Sequence, residues 1–216
     1  MQNLLTGKMR LKGFSGEWKK VRISDCLSRI TNGITYDTEK TTGIPVTRIE
    51  TISDGVINFN KIGFADPIER IEDYRLQKGD ILYSHINSLA HIGKVAIYNN
   101  DVPLYHGMNL LLLRCNSKVD SNFLFQWLVS DNGRKKAISL AKKAVNQASI
   151  NVSELRNVSI SIPSLNEQTA IAQVLLGADK EIELLKAKAE KLKEQKKGLM
   201  QQLLTGRKRL KIEIKV

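Results

Sequence analysis

The sequence predicts an α+β protein in which one globular domain is followed by a single long helix. Short alternating segments typical of strands are mixed with helical patterns across residues 13–163. An apolar repeat with a period near 3.5 then runs through the segment from Ser164 to Leu204. The composition, 42% apolar and 26% charged, is that of an ordinary globular protein.

The chain opens on a segment that it repeats near its end. MQNLLTGKMRLK at 1–12 and MQQLLTGRKRLK at 200–211 are identical at nine of twelve positions. Copies so far apart do not form a solenoid, and we interpret them as the joint of a tandem unit. In a head-to-tail pair, 1–12 of one chain can lie where the helix of the other begins or ends. We divide the chain into the joint segment 1–12, the globular domain 13–163, the long helix 164–206 and a basic tail 207–216.

Alternation and turn signals predict the strands of the globular domain. Trp18, Val21 and Ile23 are predicted core residues of the first strand, Asp54 and Gly55 predict a hairpin turn, and the apolar run near residue 110 is typical of a central strand. In chain order the predicted strands are residues 17–23, 44–49, 56–59, 76–84, 93–97, 110–114 and 158–163. Helices are predicted at 121–128, with Ser121 as its cap, and at about 131–144. The hydroxyl-rich stretch between Gly33 and Gly43 is either filler or a surface that reads a ligand.

The long helix carries an apolar stripe, called the seam below. Ser164 and Glu167 predict a capping box at its start, and Gly206 predicts its end. Seam residues recur at alternating steps of four and three, with Lys196 as the one charged member: Ile171, Leu175, Ala178, Ile182, Leu185, Ala189, Leu192, Leu199 and Leu203. Because no other segment offers a matching stripe, we predict that the seam pairs with a second copy of the chain. The alternative is an amphipathic helix packed on its own domain.

Charge and composition restrict the classes of partner. The 34 basic and 22 acidic residues give a net charge of +12, which favours nucleic acid or another polyanion. No apolar run approaches the 18 or so residues of a membrane span, and no signal peptide is recognised. Two cysteines without motif spacing do not predict disulfides. A cytoplasmic protein without membrane association is expected.

Several motifs, taken in order, resemble the specificity subunit of Type I restriction-modification enzymes in a half-length form. The motifs are Gly33, the strand at 44–49, KGDILYS at 78–84, IGKVAI at 92–97, Asn146-Gln147 leading to Ser149-Ile150, IPSLNEQ at 162–168 opening the helix, and Leu204-Thr205-Gly206 closing it. The resemblance covers nearly the whole chain. The family's common form has two target-recognition domains and two helical spacers, whereas this chain has one of each.

The resemblance implies a non-catalytic subunit that recognises DNA. Its globular domain would read half of a bipartite site, and two antiparallel helices would set the spacing between the halves. Methylase subunits and, for restriction, motor-nuclease subunits would be its partners. The cofactors S-adenosylmethionine, ATP and Mg²⁺ would belong to those subunits, and none is expected in this chain.

Candidate DNA contacts follow from side-chain chemistry. Phosphates are predicted to bind Lys135, Lys136, Lys142 and Lys143, although such a run is also typical of a solvated helix face. Base edges require paired donors and acceptors, which Arg, Asn and Gln supply best. The nominated residues are Thr35, Tyr36, Lys40, Arg48, Ser84, His85, Asn87, His91, Asn146 and Gln147. Each has an ordinary structural alternative, such as a strand-face charge or a turn cap.

Enzymatic interpretations find little support in the motifs. His85, His91 and His106 lack companions at metal-ligand spacing, and no glycine-rich loop predicts a bound cofactor. Glu213 and Lys215 match part of a nuclease motif but have no adjoining core. Besides DNA recognition, two hypotheses remain: a coiled-coil scaffold that does not read DNA, and a free-standing enzyme. A silent half-subunit that exchanges domains at the joint is a variant of the first hypothesis.

Overall fold

The computed structural model describes residues 2–53, 55–143 and 147–209 and contains two compact units. One unit is Met1–Ala172 and the other is Gln173–Val216. The strands are β1 (Lys19–Arg22), β2 (Leu27–Asn32), β3 (Ile44–Val46), β4 (Gly63–Ala65), β5 (Asp80–Tyr83), β6 (Ile86–Asn87), β7 (Val95–Tyr98), β8 (Leu111–Cys115), β9 (Lys142–Lys143), β10 (Ala148–Ser149) and β11 (Ser159–Ile162). The helices are α1 (Gln2–Leu5), α2 (Ser121–Val129), α3 (Asp131–Leu140), α4 (Val152–Arg156) and α5 (Leu165–Leu204). Antiparallel sheets combined with helices, followed by a long helix, confirm the predicted α+β class.

The main sheet is antiparallel, with strand order β2-β8-β5-β7. Its two central strands are apolar because they are covered on both faces, as the run near residue 110 predicted. One face contributes Leu82, Ala96 and Leu112 to a core cluster with Ile52 and Leu104. Helix α2 packs against β5 and β7. This sheet is the scaffold on which the loops described below are mounted.

A buried ion pair joins the two central strands. The Asp80 carboxylate is 1% exposed and accepts hydrogen bonds from Arg114 Nε and Nη2, both at 2.7 Å. It also accepts one from the backbone N–H of Gln77 at 2.7 Å, which closes the turn before β5. The pair therefore fixes both the turn and the alignment of the strands.

The start of α5 belongs to the globular unit. Strand β1 pairs antiparallel with β11, which leads into the helix. Ser164 Oγ caps the helix by accepting from the Glu167 backbone N–H at 3.4 Å. The predicted reciprocal half of the capping box is absent: the Glu167 carboxylate is engaged by Arg10 Nε and Nη2, at 2.6 and 2.7 Å. At the other end, Gly206 stops the helix with a φ of +70°, as predicted.

Three local predictions were wrong: they concern one strand, the end of one helix and the cap of another helix. No strand forms at 56–59, because the Asn58 side chain accepts from the Asn60 N–H and starts a 3₁₀ turn there; β3 pairs with β4 instead. Helix α3 ends at Leu140, and the lysines predicted to continue it form β9. Asp120, rather than Ser121, caps α2. The predictions on Asp54, Ala144 and residues 210–216 fall outside the described residues.

The seam divides into a buried part and an exposed part. Ile171 and Leu175 are buried within the single chain, so they are not available to a partner in this conformation, contrary to the prediction. Ala178 is half-buried and Ala189 is exposed. The large apolar members beyond them are 39–57% exposed: Ile182, Leu185, Leu192, Leu199 and Leu203. Among the described residues, no helix combines the length and apolar character that crossing a membrane requires.

We expect Asp80→Ala to lower the free energy of unfolding by about 3 kcal/mol, because it leaves Arg114 without its buried partner. Urea denaturation followed by circular dichroism measures the change. The matched control is Asp101→Ala, which removes a pair with Lys78 whose side chains are 88% and 60% exposed. That control should stay within about 0.5 kcal/mol of the parent; equal effects of the two variants would contradict the assigned role of Asp80.

Candidate nucleic-acid interface

The first group of candidate residues surrounds Arg48. Its guanidinium centre lies 5.9 Å from the centre of the Tyr36 ring, and its Nε lies 3.5 Å from Glu50 Oε2. Gly63 makes room for this packing, since an added Cβ would lie 3.0 Å from Arg48 Cδ and 3.3 Å from the Tyr36 ring. Burial raises the pKa of the Tyr36 phenol, and the Arg48 charge opposes that shift. Arg48 is thus a pre-positioned cation that remains 30% exposed.

Thr35 and Lys40 belong to the same loop region. Thr35 is exposed. The Lys40 ammonium pairs with Asp66. Both cations are therefore already paired with a carboxylate, and Arg48 differs from Lys40 in that its guanidinium carries further N–H groups besides the paired Nε.

The second group lines a cleft of about 200 Å³ between the loop after β5 and the 3₁₀ helix Ile49–Ile52. The lining residues are Ile49, Glu50, Ile52, Ser53, Ser84, Asn87, His91 and Lys94. Glu50 both pairs with Arg48 and lines this cleft, so it connects the two groups. Asn87 is half-buried, with its Nδ2 donating to Ser84 Oγ at 3.2 Å, and His91 is exposed.

Lys94 was not among the sequence candidates. Its Nζ donates to the Ser53 carbonyl at 2.6 Å and closes one side of the cleft. The sequence places it within a strand pattern, where an alternating lysine is an ordinary surface residue. Only the long-range contact with Ser53 distinguishes it.

A small sheet of order β6-β10-β9 brings further candidates beside Asn87. Asn87 lies opposite Ala148, and Ala148 lies opposite Lys143. Gln147 is exposed next to this sheet, and Lys142 Nζ lies 3.2 Å from Glu154 Oε1. Asn146 lies outside the described residues, so its nomination stays a prediction.

Helix α3 is tied to the loop that carries His91. Arg134 Nη2 donates to the Ala90 carbonyl at 2.7 Å. Gly93, at a φ of +72°, packs so closely on the helix that a Cβ would lie 2.3 Å from the Ala137 Cβ. Lys135 and Lys136 are exposed on this helix. The structure therefore places two exposed lysines on an element anchored at the cleft loop.

Two of the nominated residues are buried. Ser84 is 1% and His85 is 5% exposed, so neither is available to DNA in this conformation, and their nomination is not supported. Ser84 instead bonds Asn87, and the His85 carbonyl accepts from the Ile150 N–H at 2.8 Å. Burial lowers the pKa of His85 to about 4. In this conformation Ser84 supports Asn87 in the cleft, and the His85 backbone joins the loop to Ile150.

Burial also shifts the pKa values of other titratable groups. His106 is fully buried with Nε2 3.0 Å from the Leu110 carbonyl, and burial lowers its pKa to about 4. Burial raises the pKa of the Cys26 and Cys115 thiols to about 11 and about 12, respectively. Within the described ranges, no three His, Cys, Asp or Glu side chains are grouped to hold a metal ion. What the surface offers is guanidinium, amide, imidazole and ammonium groups, which suit phosphates and base edges.

Solved structures define the class of fold. The S subunit of a Type I restriction-modification system from M. genitalium superposes with a TM-score of 0.61 at 19% identity, covering 90% of this chain and 48% of that one. A chain from a structural study of complex assembly and conformational transition in the type I R-M system superposes with a TM-score of 0.63 at 23% identity. The match covers 91% of this chain and 47% of that one. The fold is that of Type I specificity subunits.

Sequence comparison then identifies the family. Residues 15–194 match the Type I restriction modification DNA specificity domain. A relative in Methanocaldococcus jannaschii, provisionally named the MjaX specificity subunit of a type I restriction enzyme, is 44% identical over 88% of this chain and 46% of its own length. The MjaVIII specificity subunit of the same organism is 27% identical over 90% and 47%. The chain belongs to this family and spans about half the length of the curated relatives it matches.

We expect the buried histidines to make folding stability depend on pH. Their folded pKa values near 4 lie below the ordinary 6.5, so the unfolded chain binds more protons between these values. The free energy of unfolding should fall as pH drops from about 6.5 to about 4, by up to about 1.4 kcal/mol per pH unit for each histidine. Denaturation midpoints at stepped pH values measure this slope.

His106→Gln should reduce the slope, whatever its effect on stability at neutral pH. The matched control is His91→Gln, which replaces an exposed histidine and should keep the slope of the parent. A slope that changes equally in both variants would contradict the assignment of His106 to the neutral core.

Proposed function

We propose that this chain is a DNA sequence-recognition subunit of a Type I restriction-modification complex. Its globular domain reads one half of a bipartite site, and its long helix pairs with that of a second copy. Family membership across residues 15–194, which include the domain and most of α5, carries this proposal. The relatives named above are specificity subunits of type I restriction enzymes.

Recognition has two layers. Exposed Lys135 and Lys136 contact phosphates, which contributes affinity that salt weakens but little sequence preference. Arg48 is the strongest candidate for a base contact, because its stacking on Tyr36 and its pairing with Glu50 reduce the entropy lost on binding. A guanidinium presents two parallel donors, which match the acceptors of guanine in the major groove. Asn87, His91 and Gln147 supply further polar contacts nearby.

The exposed seam supports pairing of two chains. A stripe of large apolar side chains, 39–57% exposed over several helical turns, is stabilised when a matching surface covers it. The alternating spacings of four and three between seam residues are the same from either end of the helix. Two antiparallel copies can therefore place their seam residues opposite each other. In a symmetric register Leu185 lies opposite Ala189, Ile182 opposite Leu192, and Ala178 opposite Lys196. A lysine at one seam position favours a particular register at some cost in stability.

Chemistry is assigned to partner subunits in this proposal. Methylase subunits transfer the methyl group from S-adenosylmethionine, and restriction subunits use ATP and Mg²⁺. The described part of this chain contributes hydrogen-bonding and cationic side chains for DNA and an apolar stripe for assembly. Its role is to place the catalytic subunits on the correct sequence.

Two identical copies should read the same half-sequence inverted across a gap. We expect a gapped, inverted-repeat methylation motif in a host that expresses this chain with its methylase partner. Single-molecule sequencing of the methylome, compared with the same host lacking this gene, tests the proposal. The motif should disappear with the gene; an unchanged methylome favours the scaffold or silent-half hypothesis, and unrelated half-sites contradict the symmetric pair.

Variants separate the two layers in the same assay. Arg48→Ala should change or abolish the methylated motif, because it removes a base contact. The joint variant Lys135→Ala and Lys136→Ala should keep the motif but lower its occupancy, since phosphate contacts carry affinity without sequence information.

Replacing Leu185 and Leu192 with Asp should yield monomers, because four charges would enter the apolar interface of the pair. Size-exclusion chromatography with light scattering measures the mass. The matched control is Leu184→Asp, which changes a leucine that is 63% exposed and lies off the seam. A double variant that remains dimeric would show that the seam is not the interface.

A further inference from the structure

Residues 2–9 and 201–208, which belong to the two copies of the joint segment, adopt the same local shape. Gly7 and Gly206 end their helices at φ values of +72° and +70°. The Met9 N–H donates to the Asn3 carbonyl at 3.0 Å, and the Lys208 N–H donates to the Gln202 carbonyl at the same distance. Thr6 and Thr205 each donate to the carbonyl four residues earlier. The C-terminal copy is therefore already in the conformation of the N-terminal one.

The N-terminal copy is docked on the globular unit. Leu4 and Leu5 are 5% and 3% exposed. The Gly7 backbone packs on the Trp18 indole, where an added Cβ would lie 3.3 Å from the ring. Arg10 lies 5.9 Å from the centre of the same ring and pairs with Glu167 through both carboxylate oxygens. The surface formed by Trp18, Phe123 behind it and Glu167 is called the seat below.

The positions at which the two copies differ in sequence are not the positions that contact the seat. The nine shared positions include the four residues that dock, whose C-terminal counterparts are Leu203, Leu204, Gly206 and Arg209. The three positions that differ hold Asn3, Lys8 and Met9 in the first copy, and all three are exposed. In the C-terminal copy, by contrast, Leu203 is 39% and Leu204 is 80% exposed. That copy carries every docking residue but leaves its leucines uncovered.

We propose that the seat receives the C-terminal copy of a second chain, which displaces the domain's own residues 1–12. The two chains thus exchange this segment reciprocally. The inference rests on the antiparallel pairing proposed above. Both occupants offer the same docking side chains, so the exchange loses little contact energy. It covers Leu203 and Leu204 of the incoming copy and uncovers Leu4 and Leu5 of the displaced one, so the exchange depends on helix pairing, which raises the effective concentration of the partner's copy at the seat.

The register of the two paired seams provides a second argument for the exchange. The register that sets Leu185 opposite Ala189 also sets Leu199 opposite Leu175 and Leu203 opposite Ile171. Ile171 is one helical turn beyond Glu167. From Leu203 the partner's chain has six more residues to Arg209, enough to bring that guanidinium to Glu167, where Arg10 now lies. In this register the partner's C-terminal copy therefore lies at the seat.

Three single variants of the full chain test the exchange through the dimer dissociation constant. Leu204→Asp places a charge in the seat and should raise the constant at least about tenfold. Lys208→Asp changes the counterpart of exposed Met9 and should leave it within about twofold. Leu5→Asp expels the chain's own segment and should lower the constant. Sedimentation equilibrium measures all three, and an unchanged constant for Leu204→Asp overturns the exchange.

Cross-linking locates the segment directly. A benzophenone amino acid at position 204 is irradiated in a mixture of ¹⁵N-labelled and unlabelled full chains, and mass spectrometry identifies mixed-isotope products. Mixed products that join position 204 to peptides containing Trp18 or Glu167 support the exchange; the same probe at position 184 should give none. A dimer by light scattering without such products overturns the exchange and leaves the helix pairing intact. A monomer at every concentration overturns both.

Discussion

The organisation of the globular unit depends on the ion pair between the buried Glu167 carboxylate and Arg10. A buried charge is tolerated only when it is paired, and Arg10 from the opening segment supplies both hydrogen bonds. The neighbouring Gln168 side chain accepts from the Asp120 N–H and donates to the Pro163 carbonyl, at 2.9 and 3.0 Å. The first turn of α5 is thus bound to the N-terminal segment and to the start of α2.

This junction joins the elements to which we assign recognition and assembly. The same globular unit carries the Arg48 group, the cleft with Asn87 and His91, and the lysines of α3. The seam begins within one turn of Glu167, so the element that we propose pairs two chains starts at the surface that holds the joint segment. A duplicated segment whose docking residues are shared provides one surface with two possible occupants, one from each chain.

Sequence patterns predicted local elements well where one signal dominated. The long helix α5, the central apolar strand and the end of α5 at Gly206 follow from periodicity and from the freedom of glycine at positive φ. Sequence patterns failed where side-chain hydrogen bonds compete with the regular hydrogen bonds of the backbone. Asn58 caps a turn in place of a strand, and Glu167 leaves its predicted cap because a stronger cationic partner lies 157 positions away. Burial of Ser84 and His85 was equally inaccessible to patterns, since polarity alone does not distinguish a core hydrogen bond from a surface contact.

The amino-acid sequence by itself determined the fold class, the family resemblance, the seam and the duplicated joint, because each is written in spacing and order along the chain. The tertiary structure decided which candidates share a surface: it set Arg48 on Tyr36, added Lys94 to the cleft and removed two polar residues to the core. It also separated the docked leucines of the first joint copy from the exposed leucines of the second. The two copies share these leucines and the same local conformation, so only contacts between distant segments explain why the leucines differ in burial.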